Sequence, residues 1–161
     1  MAQSEHENRA YKSTVFMDLF YDDETAMDNI LSLYNALYGT NFTDTSIINK
    51  IRLDGTLYRK LTNDVAFTVN NQRIFIGEHQ STINPNMPLR CLMYVGREYE
   101  RLVPVEDRYR KYSIPVPTPE FITFYNGEKE YPTENVLRLS DAFLEKKGNV
   151  SSLELKVRVI N

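Results

Sequence analysis

Three polar side chains near the middle of the chain could together hold a divalent cation. Asp64 begins one alternating segment, which ends at Val69, and Glu78 and Gln80 end the next, which begins at Arg73. Carboxylate oxygens are ligands that Mg²⁺ prefers, and the ion keeps several waters when it binds them. Such an ion polarises a phosphodiester and activates a bound water. The pattern therefore predicts metal-assisted hydrolysis, in which Gln80 orients the water or a phosphate oxygen by hydrogen bonds.

The two acids meet only if the two segments form a hairpin in one register. Glu78 and Gln80 share a face because side chains alternate along a strand. A loop of three residues pairs Val69 with Arg73, and Asp64 then falls directly opposite Glu78. A loop of two residues shifts the pairing by one and puts the acids on different faces. Opposed carboxylates with Cβ atoms about 5 Å apart repel each other, and a cation would reverse the sign of that interaction.

The same pattern has a simpler interpretation, since acids and amides are also typical of a solvated strand face. Bulk composition does not decide between the two. The chain has 161 residues, 42% hydrophobic and 25% charged, which suits one globular domain with a real core. Its net charge of −3 lacks the basic footprint of most nucleic-acid binders, so DNA contact would need locally gathered positive charge or a metal. The single cysteine, Cys91, excludes an internal disulfide and a cysteine-based zinc site.

The pattern around these residues predicts helices mixed with strands. No apolar run is long enough for a transmembrane helix, and the polar N-terminus lacks a signal-peptide core, which predicts a cytoplasmic protein without a membrane partner. We expect a single domain over 1–161 with residues 1–8 flexible, in an α/β (α+β) layered fold. The predicted helices are 11–37, broken near 22–24, and 89–103, and the predicted strands are 47–53, 64–69, 73–80, 121–125 and 152–160.

Positive charge recurs along the second predicted helix. Its apolar face is predicted to hold Leu89, Leu92, Met93, Gly96, Tyr99 and Val103, and the opposite face Arg90, Tyr94, Arg97 and Arg101. A basic stripe with an aromatic residue could follow a phosphate backbone, but a solvated helix face offset by neighbouring acids is the favoured interpretation of the stripe as a whole. Arg90 is the better functional candidate, because it lies just after the Asn84 to Pro88 loop. Lys12, near the start of the first helix, is a further candidate for DNA binding. His79 points away from Glu78 on a regular strand, which favours a packed, structural role.

Several motifs together resemble a known family. They are Tyr11 to Ser13 with Val15, Phe16, Leu19 and Phe20, then Asn63-Asp64, Glu78 to Thr82, Asn84 to Arg90, Pro117 to Pro119 with Phe121 to Gly127, and Leu137 to Phe143. The chain is similar over nearly its whole length to the PD-(D/E)XK nuclease family transposases, also called recombination-promoting nucleases. The stretch from Glu78 to Arg90 is the most specific part of the resemblance.

The resemblance implies a PD-(D/E)XK restriction-endonuclease-like core, a mixed β-sheet flanked by helices, in the order helix, three strands, helix, strand. It implies cleavage of DNA that depends on Mg²⁺, with Mn²⁺ as a substitute. Asp64 matches the family's metal-binding aspartate and Glu78 its second acid, and the main-chain carbonyl near His79 is a further candidate ligand. Gln80 stands where the wider superfamily places a lysine.

Two other functions stay open. Ser13 stands where an acid is expected at the start of the first helix, which favours a non-cutting relative that binds DNA or a partner nuclease. A nuclease that acts mainly on RNA is the second alternative, because no feature of the sequence distinguishes the two sugars. Members of the family usually continue beyond the position of Asn161, so we expect a truncated or naturally short form. A homodimer and pairing with a longer homologue are both compatible with the sequence.

Overall fold

The computed structural model describes residues 15–16, 18–22, 24–51, 64–145 and 151–161. In this part of the chain, two α-helices accompany six strands, preceded by a π-helical segment at Asp18–Asp22. The helices are α1 (Ala26–Tyr38) and α2 (Met87–Leu102), and the strands are β1 (Ile48–Lys50), β2 (Asp64–Val69), β3 (Arg73–Gln80), β4 (Thr118–Tyr125), β5 (Glu134–Arg138) and β6 (Lys156–Ile160). Short 3₁₀ turns lie at Thr45–Ile47, Val105–Tyr109 and Leu139–Ala142.

The strands form one mixed sheet in the order β1-β2-β3-β4-β6-β5. The first three strands pair antiparallel, β4 lies parallel to both β3 and β6, and β5 returns antiparallel to β6. Helix α2 links two parallel neighbours, β3 and β4, as a crossover connection requires. The predicted α/β class, with helices flanking a mixed sheet, is confirmed.

Each face of the sheet packs against its own helix. Ile74 and Ile76 of β3 lie in a core cluster with Cys91 and Val95 of α2. Phe75, between them on the strand, points to the other face and lies in a cluster with Ile30, Leu31 and Tyr34 of α1. Both sides of β3 are therefore buried, and burial of one large side chain such as Phe75 contributes about 1.5–3 kcal/mol.

The predicted bounds of the central elements agree closely with the structure. The two hairpin strands begin and end as predicted, and α1 ends at Tyr38, capped by Gly39, whose φ of 63° is left-handed. Helix α2 begins two residues earlier than predicted, at Met87, with Pro88 in its first turn. Strand β6 is shorter than the predicted 152–160, β4 begins earlier than residue 121, and β5 was not predicted.

Helix α2 buries a different face from the predicted one. Leu89 and Met93 are 39% and 52% exposed, so their assignment to the core was wrong. The buried residues of the helix are Met87, Pro88, Cys91, Tyr94, Val95 and Glu98. Two of these buried side chains end in polar groups, and both groups have partners. The hydroxyl of Tyr94 accepts a hydrogen bond from Arg90, and the carboxylate of Glu98 accepts one from Arg101. Leu92 and Tyr99 of the predicted face do pack against the core cluster, at its border.

Candidate metal centre

The register of the central hairpin is the one that brings the two acid positions together. Val69 pairs with Arg73 and Asp64 pairs with Glu78, around a loop of three residues. The loop closes with Asn70 and Asn71 at positive φ, 51° and 54°, a conformation that asparagine tolerates better than most residues. The predicted register is confirmed for the backbone. Nothing further is described for Asp64, whose side chain lies outside the described part of the structure.

Glu78 is buried where β3 meets the first turn of α2. Its side chain is 7% exposed, so the interpretation of a solvated strand face is wrong at this position. The oxygen Oε1 accepts hydrogen bonds from Nε2 of Gln80 at 2.8 Å and from Nη1 of Arg90 at 2.9 Å. The other oxygen, Oε2, is buried and has no hydrogen-bond partner among the described residues. A buried acceptor without a partner is costly, which makes it the atom of the site that most needs a ligand.

Gln80 links the strand, the following loop and the helix. Its amide nitrogen donates to Glu78 and lies 2.9 Å from Sδ of Met87. Its carbonyl oxygen accepts from the backbone N–H of Asn84 at 3.3 Å. Asn84 in turn accepts from the N–H of Asn86, which shapes the turn before α2 as its position in the sequence suggested. The described contacts of Gln80 are thus internal, and its expected action on a water or phosphate stays a prediction.

Arg90 faces the buried acid instead of standing on an exposed stripe. Its side chain is 24% exposed. Its Nε and Nη2 contact the hydroxyl of Tyr94 at 3.2 and 2.9 Å, while Nη1 bonds to Glu78. The predicted stripe of four residues on one exposed face was therefore wrong at Tyr94, which is only 3% exposed.

The other candidate DNA-binding residues divide into two groups. Arg97 and Arg101 are exposed on α2, and Arg101 forms an ion pair with Glu98 at 2.7 Å. Lys12 lies outside the described residues, as does Ser13.

His79 is 8% exposed on the opposite face of β3, where its ring stacks on Phe16 with centroids 5.5 Å apart. The packed role predicted for this histidine is confirmed.

An open cavity of about 440 Å³ lies beside the buried acid. It is lined by residues 78–85, the end of β3 and the loop that leads to α2. The end of β4 closes this region from the side, since the N–H of Asn126 donates to the carbonyl of Gln80 at 3.1 Å. Gly127 approaches so closely that a Cβ there would overlap the carbonyl oxygen of Ser81 and the ring of Tyr125. This glycine was not singled out from the sequence, where it reads only as part of a turn.

The donor set fits a hard cation at one described atom. Oε2 of Glu78 is a carboxylate oxygen, the ligand type that Mg²⁺ and Mn²⁺ favour. It has no hydrogen-bond partner among the described residues, and Glu78 is one of the residues that line the cavity. Within the described ranges, no three His, Cys, Asp or Glu side chains group closely enough to form a complete metal site. Further ligands would have to come from Asp64, which pairs with Glu78 across the hairpin, from backbone carbonyls and from waters.

The fold and this site define a mixed α/β protein with a candidate cation centre at the end of its central hairpin. The chain belongs to the family described as "Putative transposase, YhgA-like", whose family model matches residues 13–157. The match includes the hairpin, both helices and the strands as far as Val157, and it confirms at the level of the family the resemblance drawn from the motifs. No curated protein and no solved structure matches the chain. Among the described helices, none has the length and apolar character needed to cross a membrane.

Proposed function

We propose that this protein is a DNA endonuclease of the transposase family that depends on Mg²⁺ or Mn²⁺. The observation that supports this most directly is the buried oxygen Oε2 of Glu78, which has no hydrogen-bond partner within the described part of the chain, on a residue whose backbone pairs with Asp64. Two facing acids and a buried unpaired oxygen are unfavourable in a protein without a cation. A divalent cation removes both penalties, which gives the arrangement a physical reason to exist.

In this proposal Asp64 and Glu78 hold the cation, with the main-chain carbonyl near His79 as a further ligand. The bound cation would polarise the phosphodiester and lower the pKa of an attacking water. The water oxygen would then bond to phosphorus, and the bond from phosphorus to one deoxyribose oxygen would break. The leaving oxygen takes up a proton, and the water loses one to solvent. Gln80 keeps the carboxylate of Glu78 in place through its 2.8 Å hydrogen bond. In this proposal its amide also orients the water.

DNA contact would come from positive charge along α2, the helix that follows the loop lining the cavity. Arg97 and Arg101 are exposed, and Arg90 stands at the start of the same helix. Lys12 is a further candidate from the N-terminal segment. Because the net charge is −3, this contact has to be local. The slope of DNA affinity against salt concentration should therefore correspond to these few cations only.

Cleavage of supercoiled and linear DNA tests the proposal. Wild type, Asp64→Asn and Glu78→Gln are incubated with DNA in Mg²⁺, Mn²⁺ or EDTA, beside Glu120→Gln as the matched control. Glu120 is an acid on the neighbouring strand β4, in an ion pair with Arg73 at 2.8 Å, away from the proposed ligands. We expect cutting by wild type and the control in either metal, none in EDTA, and a loss of at least about a hundredfold in the two site variants. Equal cutting by Glu78→Gln would rule out this site, and a parallel RNA substrate tests the RNA alternative.

A second function, DNA binding without cutting, is favoured by one observation. Arg90 already neutralises Glu78 through an ion pair of 2.9 Å, which a catalytic carboxylate does not require. A protein of this kind would associate with DNA, or pair with itself or a longer homologue, in EDTA as well as in Mg²⁺. Gel-shift binding that is the same in Glu78→Gln and wild type, with no cutting under any condition, would establish it in place of the nuclease.

A further inference from the structure

The hydrogen bonds to the Glu78 carboxylate are distributed unequally between its two oxygens. Both described hydrogen bonds, from Gln80 and from Arg90, reach Oε1, while Oε2 receives none from the described residues. A guanidinium can bond both oxygens of a carboxylate at once, and that bidentate geometry is the stronger one. Here Arg90 instead uses Nε and Nη2 on the hydroxyl of Tyr94. The ion pair therefore leaves one oxygen of a buried carboxylate available.

We propose that Arg90 is a resident counter-ion that competes with the divalent cation for Glu78 and so sets the affinity of the cation site. This inference rests on the cation site of the proposed function and adds to it the residue that controls occupancy. Arg90 acts through Glu78 and is a positioning residue.

The competition follows from the charges and distances. Nη1 of Arg90 lies 2.9 Å from Oε1 of Glu78. A cation on the other oxygen of the same carboxylate would stand close to this guanidinium, and like charges at short range repel each other. Since the Glu78 side chain is 7% exposed, salt and solvent screen this repulsion little. Cation and guanidinium therefore each weaken the other's hold on the carboxylate.

Arg90 can separate from Glu78 and still keep other contacts. Its two bonds to the hydroxyl of Tyr94 do not involve Glu78, and its side chain is 24% exposed, which leaves a route to solvent. The guanidinium also lies 5.8 Å from the centre of the Tyr94 ring, a favourable cation–π distance. When a cation takes over the carboxylate, the arginine keeps its anchor on Tyr94 beside the cavity.

Calorimetric titration of the full chain with Mn²⁺ alone, without DNA, tests the inference. The proteins are wild type, Arg90→Met, Arg90→Lys and Glu78→Gln, with Arg73→Met as the matched control, because Arg73 forms an equally short ion pair at the opposite end of β3. We expect Arg90→Met to bind Mn²⁺ about tenfold more tightly than wild type or better, because a nearby positive charge is removed. Arg90→Lys keeps the charge and should stay within about threefold of wild type, as should the control. Glu78→Gln should bind most weakly.

Thermal unfolding with and without Mn²⁺ separates competition from a merely structural role. Arg90→Met should melt below wild type without Mn²⁺, since it leaves a buried carboxylate unpaired, and should gain more from Mn²⁺ than wild type gains. A lower melting temperature with no greater gain from Mn²⁺ would overturn the inference. Arg90→Gln is measured in the same way, so that the test stands if the methionine variant does not fold.

The outcomes distinguish this inference from the proposed function. Mn²⁺ binding that Glu78→Gln abolishes, while both neutral Arg90 variants bind as wild type does or more weakly, would keep the cation site and overturn the role of Arg90. Absence of Mn²⁺ binding in wild type and in every variant would overturn both. Binding by the neutral Arg90 variants alone would support competition in its strongest form.

Discussion

Nε2 of Gln80 lies 2.8 Å from Oε1 of Glu78, two residues back on the same face of β3. The strand's alternation brings the side chains together. Because both are buried, loss of this hydrogen bond would cost stability. A neutral amide at this position stabilises the carboxylate without adding a charge that would repel a cation. Positive charge reaches the same oxygen from another element, through Arg90 of α2.

Replacing Gln80 by leucine should destabilise the protein by about 1–3 kcal/mol, because the backbone N–H of Asn84 loses its acceptor and Glu78 loses a donor. Urea unfolding measures the change. The same substitution at Gln72, whose side chain is exposed in the hairpin loop, should stay within about 0.5 kcal/mol of wild type. Equal small effects at both positions would mean that Gln80 does not hold the site together.

The hairpin loop sets the register of the site, and its backbone makes a second prediction. Asn71 has a φ of 54°, where a β-branched residue is strained. Asn71→Val should cost about 1–2 kcal/mol in urea unfolding, whereas Asn71→Gly should cost little or nothing because glycine adopts positive φ freely. A valine variant as stable as the glycine variant would show that the loop relaxes into another conformation.

The hairpin was predictable because its signals agree. Alternation predicted which residues share a face. The loop length stayed open, and a loop of three residues was a requirement of the metal site, which the pairing of Val69 with Arg73 meets. What the sequence could not show is that Glu78 and Gln80 are buried. Their burial depends on α2, which the chain reaches only after the loop that follows β3.

The face of α2 and strand β5 were predicted wrongly or missed for identifiable reasons. On α2, the stripe through Leu89 and Met93 is as periodic as the buried stripe through Cys91 and Val95. The sequence does not show that Glu98, on the buried side, is held in an ion pair with Arg101. Strand β5 lies at the edge of the sheet and carries charges at both ends, with Val136 43% exposed. Such a strand has little alternating signal, and its pairing with β6 alone defines it.

Two glycines with opposite surroundings make a matched pair for the region beside the cavity. Gly127→Ala should destabilise the protein by more than about 1 kcal/mol, because the added methyl would overlap the carbonyl oxygen of Ser81 and the ring of Tyr125. Gly96→Ala, on the exposed side of α2 with nothing near its added Cβ, should stabilise it by about 0.5–1 kcal/mol. Thermal or urea unfolding measures both. A tolerated alanine at 127 would show that the ends of β3 and β4 are not held together as described.

The hydroxyl of Tyr38, at the end of α1, gives a prediction about alkaline stability. This oxygen is buried without a hydrogen-bond partner among the described residues. Burial, followed by the nearby charge of Glu120, raises the pKa of Tyr38 from 10.0 to about 12. The unfolded chain therefore ionises this tyrosine first, so its contribution to stability is complete below pH 10 and is lost as the pH rises towards 12.

Tyr38→Phe should consequently lose stability less steeply than wild type between pH 10 and 12. At neutral pH it should be as stable as wild type or up to about 1 kcal/mol more stable, because the variant no longer buries an unpaired hydroxyl. Urea unfolding across this range checks both expectations, with Tyr109→Phe as the control, since Tyr109 is 85% exposed. A loss of more than about 1 kcal/mol in Tyr38→Phe at neutral pH would mean that the hydroxyl makes a stabilising bond, and the alkaline effect would then have another origin.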